Sequence, residues 1–150
     1  PTVSHTEFLH FKDRIREEID RPLLERLVPV GTVLRSVYTE MREGKVTFGR
    51  QIGTYPLLVG IPHPVDLEKF YDVAVVGHGF RSISAVVYPL PVNECHITSL
   101  EALPGLGRKR ATRLFLARPM KGLDDLRKAL DDPQVADAVL PFLSFDRPEH

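Results

Sequence analysis

Leu103-Pro104-Gly105-Leu106-Gly107-Arg108-Lys109-Arg110-Ala111 decides how the C-terminal part of this chain folds. Two glycines separated by one apolar residue let the backbone turn through positive φ and come close to a ligand. A helix that begins directly after such a turn presents its unpaired first-turn N–H groups and the positive end of its dipole outward. That suits an anion, phosphate above all. Arg108, Lys109 and Arg110 surround the spot with fixed charge, and Arg113 follows one turn on. The flanks read as helices. Thr98-x-x-Glu101 is a capping box before Leu100 and Leu103. Arg108 to Ala117 is a helix with Ala111, Leu114 and Phe115 turned inward, stopped by Pro119. Gly122 to Leu130 makes another, and Asp132-Pro133 opens a fourth, an N-cap followed by proline in the first turn. The Gly-x-Gly lacks a third glycine and follows no strand, so it is no dinucleotide fingerprint, and no phosphate-binding loop of the Gly-x-x-x-x-Gly-Lys type occurs.

The charge pattern singles out the same stretch. The chain has 150 residues with 20 basic and 20 acidic side chains, so its net charge names no partner. Residues 98–122, however, hold six basic side chains against Glu101 alone, while residues 123–150 hold three against seven. A basic segment coincident with the hairpin points to a polyanion. A composition of 43% hydrophobic and 27% charged residues excludes a disordered or collagen-like chain. The one cysteine, Cys95, makes no internal disulfide and suits a reducing cytoplasm. The longest apolar runs fall far short of a membrane span, and the first residues do not read as a signal peptide. The chain starts at Pro1 rather than Met and is expected to be a piece of a longer protein.

Upstream of the hairpin the periodicity changes. Residues 1–30 read as a helical linker: Phe8, Phe11, Ile15, Ile19, Leu23 and Leu27 recur on one face, Pro22 kinks or restarts the helix behind Asp20, and Pro29 and Gly31 end it. Residues 31–92 read as five strands: Thr32 to Glu40, Lys45 to Gln51, Tyr55 to Ile61, Tyr71 to Val76 and Ser82 to Tyr88. Glu43-Gly44 and Gly77-His78-Gly79 are the hairpin turns, Val65 to Phe70 is one helical turn, and Gly49 and Gly53 are bulges or sharp bends. Five short strands are too few for a two-sheet sandwich, so a small barrel of OB or SH3-like type is expected. The fold class is α+β: the linker, the barrel, and a helical bundle over residues 93–150.

Three resemblances follow from these residues. The hairpin with its surroundings, from Val92-Asn93 through Ser99-Leu100-Glu101-Ala102-Leu103 to Arg118 and Leu123-Asp124-Asp125-Leu126, resembles the helix-hairpin-helix family. That implies binding of DNA or RNA backbones without reading sequence, through Gly105, Leu106, Gly107, Arg108, Lys109, Arg110 and Arg113. Some members hold a monovalent cation on hairpin carbonyls. The segment Val46-Thr47-Phe48-Gly49-Arg50-Gln51, continued by Ile52 to Val59 and by Phe70-Tyr71-Asp72-Val73-Ala74-Val75-Val76, is similar to the TRAM domain, an OB-like barrel that binds tRNA. Leu67-Glu68-Lys69-Phe70 stands where that family has a glycine. The order as a whole, with Arg16-Glu17-Glu18-Ile19-Asp20-Arg21-Pro22 at the junction, resembles the C-terminal region of archaeal radical-SAM proteins. Their catalytic half carries an iron–sulfur cluster and S-adenosylmethionine, and it is absent from this chain, so no cofactor and no catalytic residue is expected here.

On the barrel, Arg50, Tyr55 and Arg81, with Arg35 and Tyr71, offer charge and stacking surfaces for RNA. Cys95-His96 has no second pair at metal-ligand spacing and reads as a buried thiol beside a surface imidazole. His63 and His78 read as loop and turn residues. Asp124, Asp125, Asp131, Asp132 and Asp137 mostly stand at helix starts, where carboxylates suit the dipole. The expected function is sequence-independent nucleic-acid binding, RNA and tRNA before DNA, in the service of a radical-SAM domain of the same protein. The alternative is a protein-interaction or packing module that binds no nucleic acid.

Overall fold

A computed structural model describes residues 21–51, 57–79 and 82–145. The apolar face drawn through Phe8, Phe11, Ile15 and Ile19, the Arg16–Asp20 part of the junction, Gly53, Tyr55 and Arg81 lie outside them. The chain divides into two compact units, residues 1–87 and 88–150.

In the first unit, helix α1 (Arg21–Leu27) is followed by strands β1 (Val33–Glu43), β2 (Val46–Gln51), β3 (Val59–Ile61), β4 (Phe70–Gly79) and β5 (Ser82–Val87). They form a closed five-stranded barrel in the order β1-β2-β3-β5-β4, with β4 returning to pair antiparallel with β1. The β3–β5 pair is parallel and the others antiparallel. This is the OB-like arrangement. Leu24 and Val28 of the α1 segment, both buried, join Val37, Ile61, Val73 and Ile83 in the barrel core. The helix therefore turns the 24/28 pair inward; Leu23 packs only partly and Leu27 is exposed. That rotates the expected face by one residue.

Closing so small a sheet demands sharp bends in β1, and each has a local cause. Register slips between Thr39 and Met41, opposite Gly49. A Cβ on Gly49 would lie 2.6 Å from the Tyr38 carbonyl oxygen, so only glycine fits. A second slip, between Leu34 and Val37, leaves Ser36 at φ +57°. Asp72 holds this irregularity from β4: its Oδ1 accepts from the Ser36 N–H at 3.0 Å and its Oδ2 from Arg35 at 2.9 Å. The Ser36 N–H and then Arg35 keep the Asp72 carboxyl below the ordinary carboxylate range.

The β3–β4 connection is not the expected helical turn. Buried Thr39 organises it instead: its Oγ1 donates to the Asp66 carbonyl at 2.6 Å, and its backbone exchanges bonds with Lys69 and Glu68. Glu68 takes a positive φ of +60°, which breaks any helix there. The last hairpin also differs. Gly77, His78 and Gly79 continue β4 beyond a bulge and pair with Ser84, Ile83 and Ser82 of β5. His78 is thus a strand residue, its Nε2 2.5 Å from the Val28 carbonyl oxygen.

In the second unit, strand β6 (Leu90–Pro91) pairs in parallel with β7 (Leu143–Ser144), so residues 88–92 belong with the helices rather than with the barrel. Between them lie α2 (Ile97–Ala102), α3 (Gly107–Leu116), α4 (Leu123–Ala129), α5 (Pro133–Val139) and a short 3-10 turn (Leu140–Phe142). Leu100, Leu103, Leu106, Ala111, Leu114 and Leu126 are buried. Helix α2 starts two residues before the expected box: His96 is its N-cap, without a side-chain bond, and Thr98 lies inside the helix. Asp132 does cap α5, its Oδ1 accepting from the Gln134 N–H at 2.8 Å.

Candidate nucleic-acid interface

The hairpin joins α2 to α3. Leu103 leaves α2 in an extended conformation and its carbonyl accepts from the Leu106 N–H at 3.2 Å. Gly105 and Gly107 then take φ +78° and +64°, the left-handed values expected of them. Buried Leu106 pins the tip to the bundle while both glycines stay exposed. Helix α3 begins with no side-chain cap, so its first-turn amides, from Gly107 onward, have no intrahelical carbonyl to bond.

The cations around this helix start serve different ends. Arg108 and Lys109 are exposed and form no ion pair among the described residues. Arg110 donates through Nη1 to the Gly105 carbonyl at 2.9 Å and through Nε to Asp131 at 3.0 Å. Arg113 reaches the other oxygen of Asp131 at 3.2 Å. Leu106, Lys109, Arg110, Arg113 and Asp131 line a depression of about 230 Å³. Arg118 turns away from this end. Its Nη1 donates to the Cys95 carbonyl at 2.9 Å, and its guanidinium lies 4.0 Å from the centre of the Phe115 ring. Phe115 is therefore on the surface, 38% exposed, rather than inward as expected. Asn93 clamps the segment after α3, exchanging bonds of 2.8 and 2.7 Å with the Met120 backbone.

On the barrel, Arg50 on β2 places Nε 2.8 Å from Oε1 of Glu40, whose side chain is 3% exposed. Its guanidinium neutralises a buried acid. The cross-strand row it belongs to holds Tyr38, opposite Arg50, and Phe70, opposite Tyr38, whose rings stand 5.0 Å apart. Neither Asp131 nor Glu40 is legible as an arginine partner in the sequence, because each meets its arginines only through tertiary structure.

Burial pushes the Cys95 thiol up to about 11, against a smaller lowering by Arg118. A single cysteine cannot supply the thiolates of an iron–sulfur cluster, so this chain does not fit one. Among the described residues no group of three or more His, Cys, Asp and Glu side chains is placed to hold a metal, and no helix is long and apolar enough to cross a membrane.

Fold and site together define a small OB-like barrel followed by a helix-hairpin-helix-like bundle, folds that resemble nucleic-acid-binding ones in general. The chain is 38% identical over 114 residues to an uncharacterized protein of Archaeoglobus fulgidus, a match covering 76% of this chain and 21% of that protein. It is 51% identical over 82 residues to an uncharacterized protein of Methanocaldococcus jannaschii, covering 53% of this chain and 15% of that one. The chain thus spans about a fifth or less of the length of these two relatives. No family model and no solved structure matches it.

Proposed function

We propose that this chain is a sequence-independent nucleic-acid-binding region, taking RNA, and tRNA in particular, before DNA, within a larger cytoplasmic protein that carries a radical-SAM catalytic domain. One observation carries the binding: two exposed cations without ion pairs among the described residues, Arg108 and Lys109, stand on the uncapped start of a helix entered through two left-handed glycines. A phosphodiester matches such amides and cations both in charge and in hydrogen bonding. Contacts of this kind address the backbone, which every sequence shares. The preference for RNA rests on the likeness of the barrel to tRNA-binding TRAM domains. The radical-SAM assignment rests on the resemblance of the Arg16–Pro22 junction and of the order barrel then hairpin, and the greater length of the relatives leaves room for such a domain. The cluster and S-adenosylmethionine would be held there.

A second reading, a protein-docking module, draws on Leu116, 77% exposed at the far end of α3 beside Phe115. Salt separates the two. Filter binding of the 150-residue chain to bulk tRNA and to duplex DNA, at about 50 and 200 mM salt, should show affinity falling steeply as salt rises. Replacing Arg108 and Lys109 with alanine should flatten that dependence. No binding to either nucleic acid at the lower salt would leave docking as the function.

A further inference from the structure

The four cations of α3 are not equivalent. Arg108 and Lys109 face solvent, whereas Arg110 is half-buried and makes two directed contacts at once, to the Gly105 carbonyl at 2.9 Å and to Asp131 at 3.0 Å. A guanidinium is a rigid fork, so occupying two acceptors fixes it in place. Asp131 lies between Leu130, which ends α4, and Asp132, which caps α5. Its second oxygen takes Arg113 at 3.2 Å. Arg110 and then Arg113 hold its carboxyl below the ordinary range.

The space beside the two glycines is open. A Cβ on Gly107 would meet nothing within 4 Å, and one on Gly105 would touch only Val135, at 3.7 Å. Buried Leu106 anchors the tip from below, and the Arg110 bond anchors the Gly105 carbonyl from the side.

We propose that Arg110 and Asp131 are a positioning pair for the hairpin's phosphate site rather than contacts to the phosphate. Asp131 orients the fork of Arg110, the fork fixes the Gly105 peptide, and the amides from Gly107 onward are thereby held in a ready-made cradle. The proposal rests on the phosphate reading of the hairpin and assigns its support. It makes a prediction opposite in sign to simple electrostatics. A carboxylate beside an anion site repels the anion, so its removal should tighten binding. Arg110 and Arg113 already neutralise the Asp131 carboxylate at 3.0 and 3.2 Å, so the repulsion it exerts on an anion is small and the loss of pre-organisation dominates.

The test uses the 150-residue chain and bulk tRNA, titrated across salt, with amide NMR spectra of the free protein. Arg110→Lys keeps the charge but loses the fork; Asp131→Asn removes a negative charge. Each should weaken binding by roughly tenfold, the order of one charge-assisted hydrogen bond, with the salt slope unchanged. The two together should weaken it little further, since both break one support. The Gly105 and Gly107 amide signals should move in both, and Asp131→Glu should recover part of the affinity. Circular dichroism confirms that each variant is folded. Arg108→Ala serves as the control: it should flatten the salt slope by about one unit. If Asp131→Asn binds as tightly as the parent or tighter, or if Arg110→Lys keeps full affinity, the positioning pair is refuted while the hairpin site stands. If Arg108→Ala also changes nothing, or the parent does not bind tRNA, the hairpin reading itself fails and the pair falls with it.

Discussion

Replacing Gly107 separates the conformation of the hairpin from the space beside it. Gly107 sits at φ +64° with open space where a Cβ would be. An alanine there meets no clash and incurs only the left-handed strain, about 1–2 kcal/mol. Asparagine tolerates that region better and should cost less. Neither should unfold a domain of ordinary stability, roughly 5–15 kcal/mol. A phosphate drawn onto the α3 amides behaves differently, because either side chain would occupy its approach. A hydrogen bond to a charged group contributes about 1.5–3 kcal/mol, so losing one should weaken binding by roughly ten- to a hundredfold. Urea denaturation should find Gly107→Ala about 1–2 kcal/mol less stable and Gly107→Asn closer to the parent. Filter binding at fixed salt should find both weak for tRNA. Restored affinity in the asparagine variant would mean that the glycine serves conformation alone. Parent affinity in both would mean that no ligand approaches this backbone.

Other expected outcomes concern the rest of the chain. Gly49→Ala should destabilise the barrel by about 1–3 kcal/mol, the range for overpacking, because its Cβ would press on the Tyr38 carbonyl oxygen at 2.6 Å; an unchanged denaturation midpoint would contradict this. Arg50→Ala strands the buried Glu40 carboxylate and should cost about 2 kcal/mol, below the usual figure for a buried pair because the arginine is partly exposed. Adding Glu40→Gln should restore part of it in a double-mutant cycle. Asp132→Ala should lower the stability of the helical unit by about 1 kcal/mol, the ordinary value for a lost N-cap. The Cys95 thiol, pushed up to about 11 by burial, should react slowly with maleimide at pH 8 in the folded protein and quickly in denaturant; equal rates would mean that the thiol is accessible.

Sequence and structure agree where the deciding interactions are local. Two glycines around one apolar residue announce left-handed backbone, and both adopt it. Alternation and turn signals place five strands close to where they form. The parallel β3–β5 pair that completes the barrel is not legible, because periodicity records which face is buried and not which strand lies alongside. Helix α1 misleads by one residue because Leu23, Leu24, Leu27 and Val28 permit two overlapping apolar faces, and the barrel selects Leu24 and Val28. Phe115 looks like core by spacing, yet Arg118 draws it onto the surface as a stacking partner. The same limit governs the site. The basic run reads as one patch in sequence, but Asp131, 21 residues beyond Arg110, engages two of its arginines. Charge counted by segment misses this, since the acidic tail and the basic helix meet only after folding.

Closure of the barrel limits how a partner can engage it. With β1 paired to both β2 and β4, and β3 joined to β5, each barrel strand has a neighbour on either side. Among the described residues an incoming peptide therefore finds no strand with a wholly unpaired edge to extend. Strand addition, a common way for one chain to capture another, is disfavoured by that closure, and so is the edge-to-edge pairing that leads to aggregation. Whatever the barrel binds must be recognised by outward side chains, such as the Tyr38–Phe70 pair, or by the loops between strands.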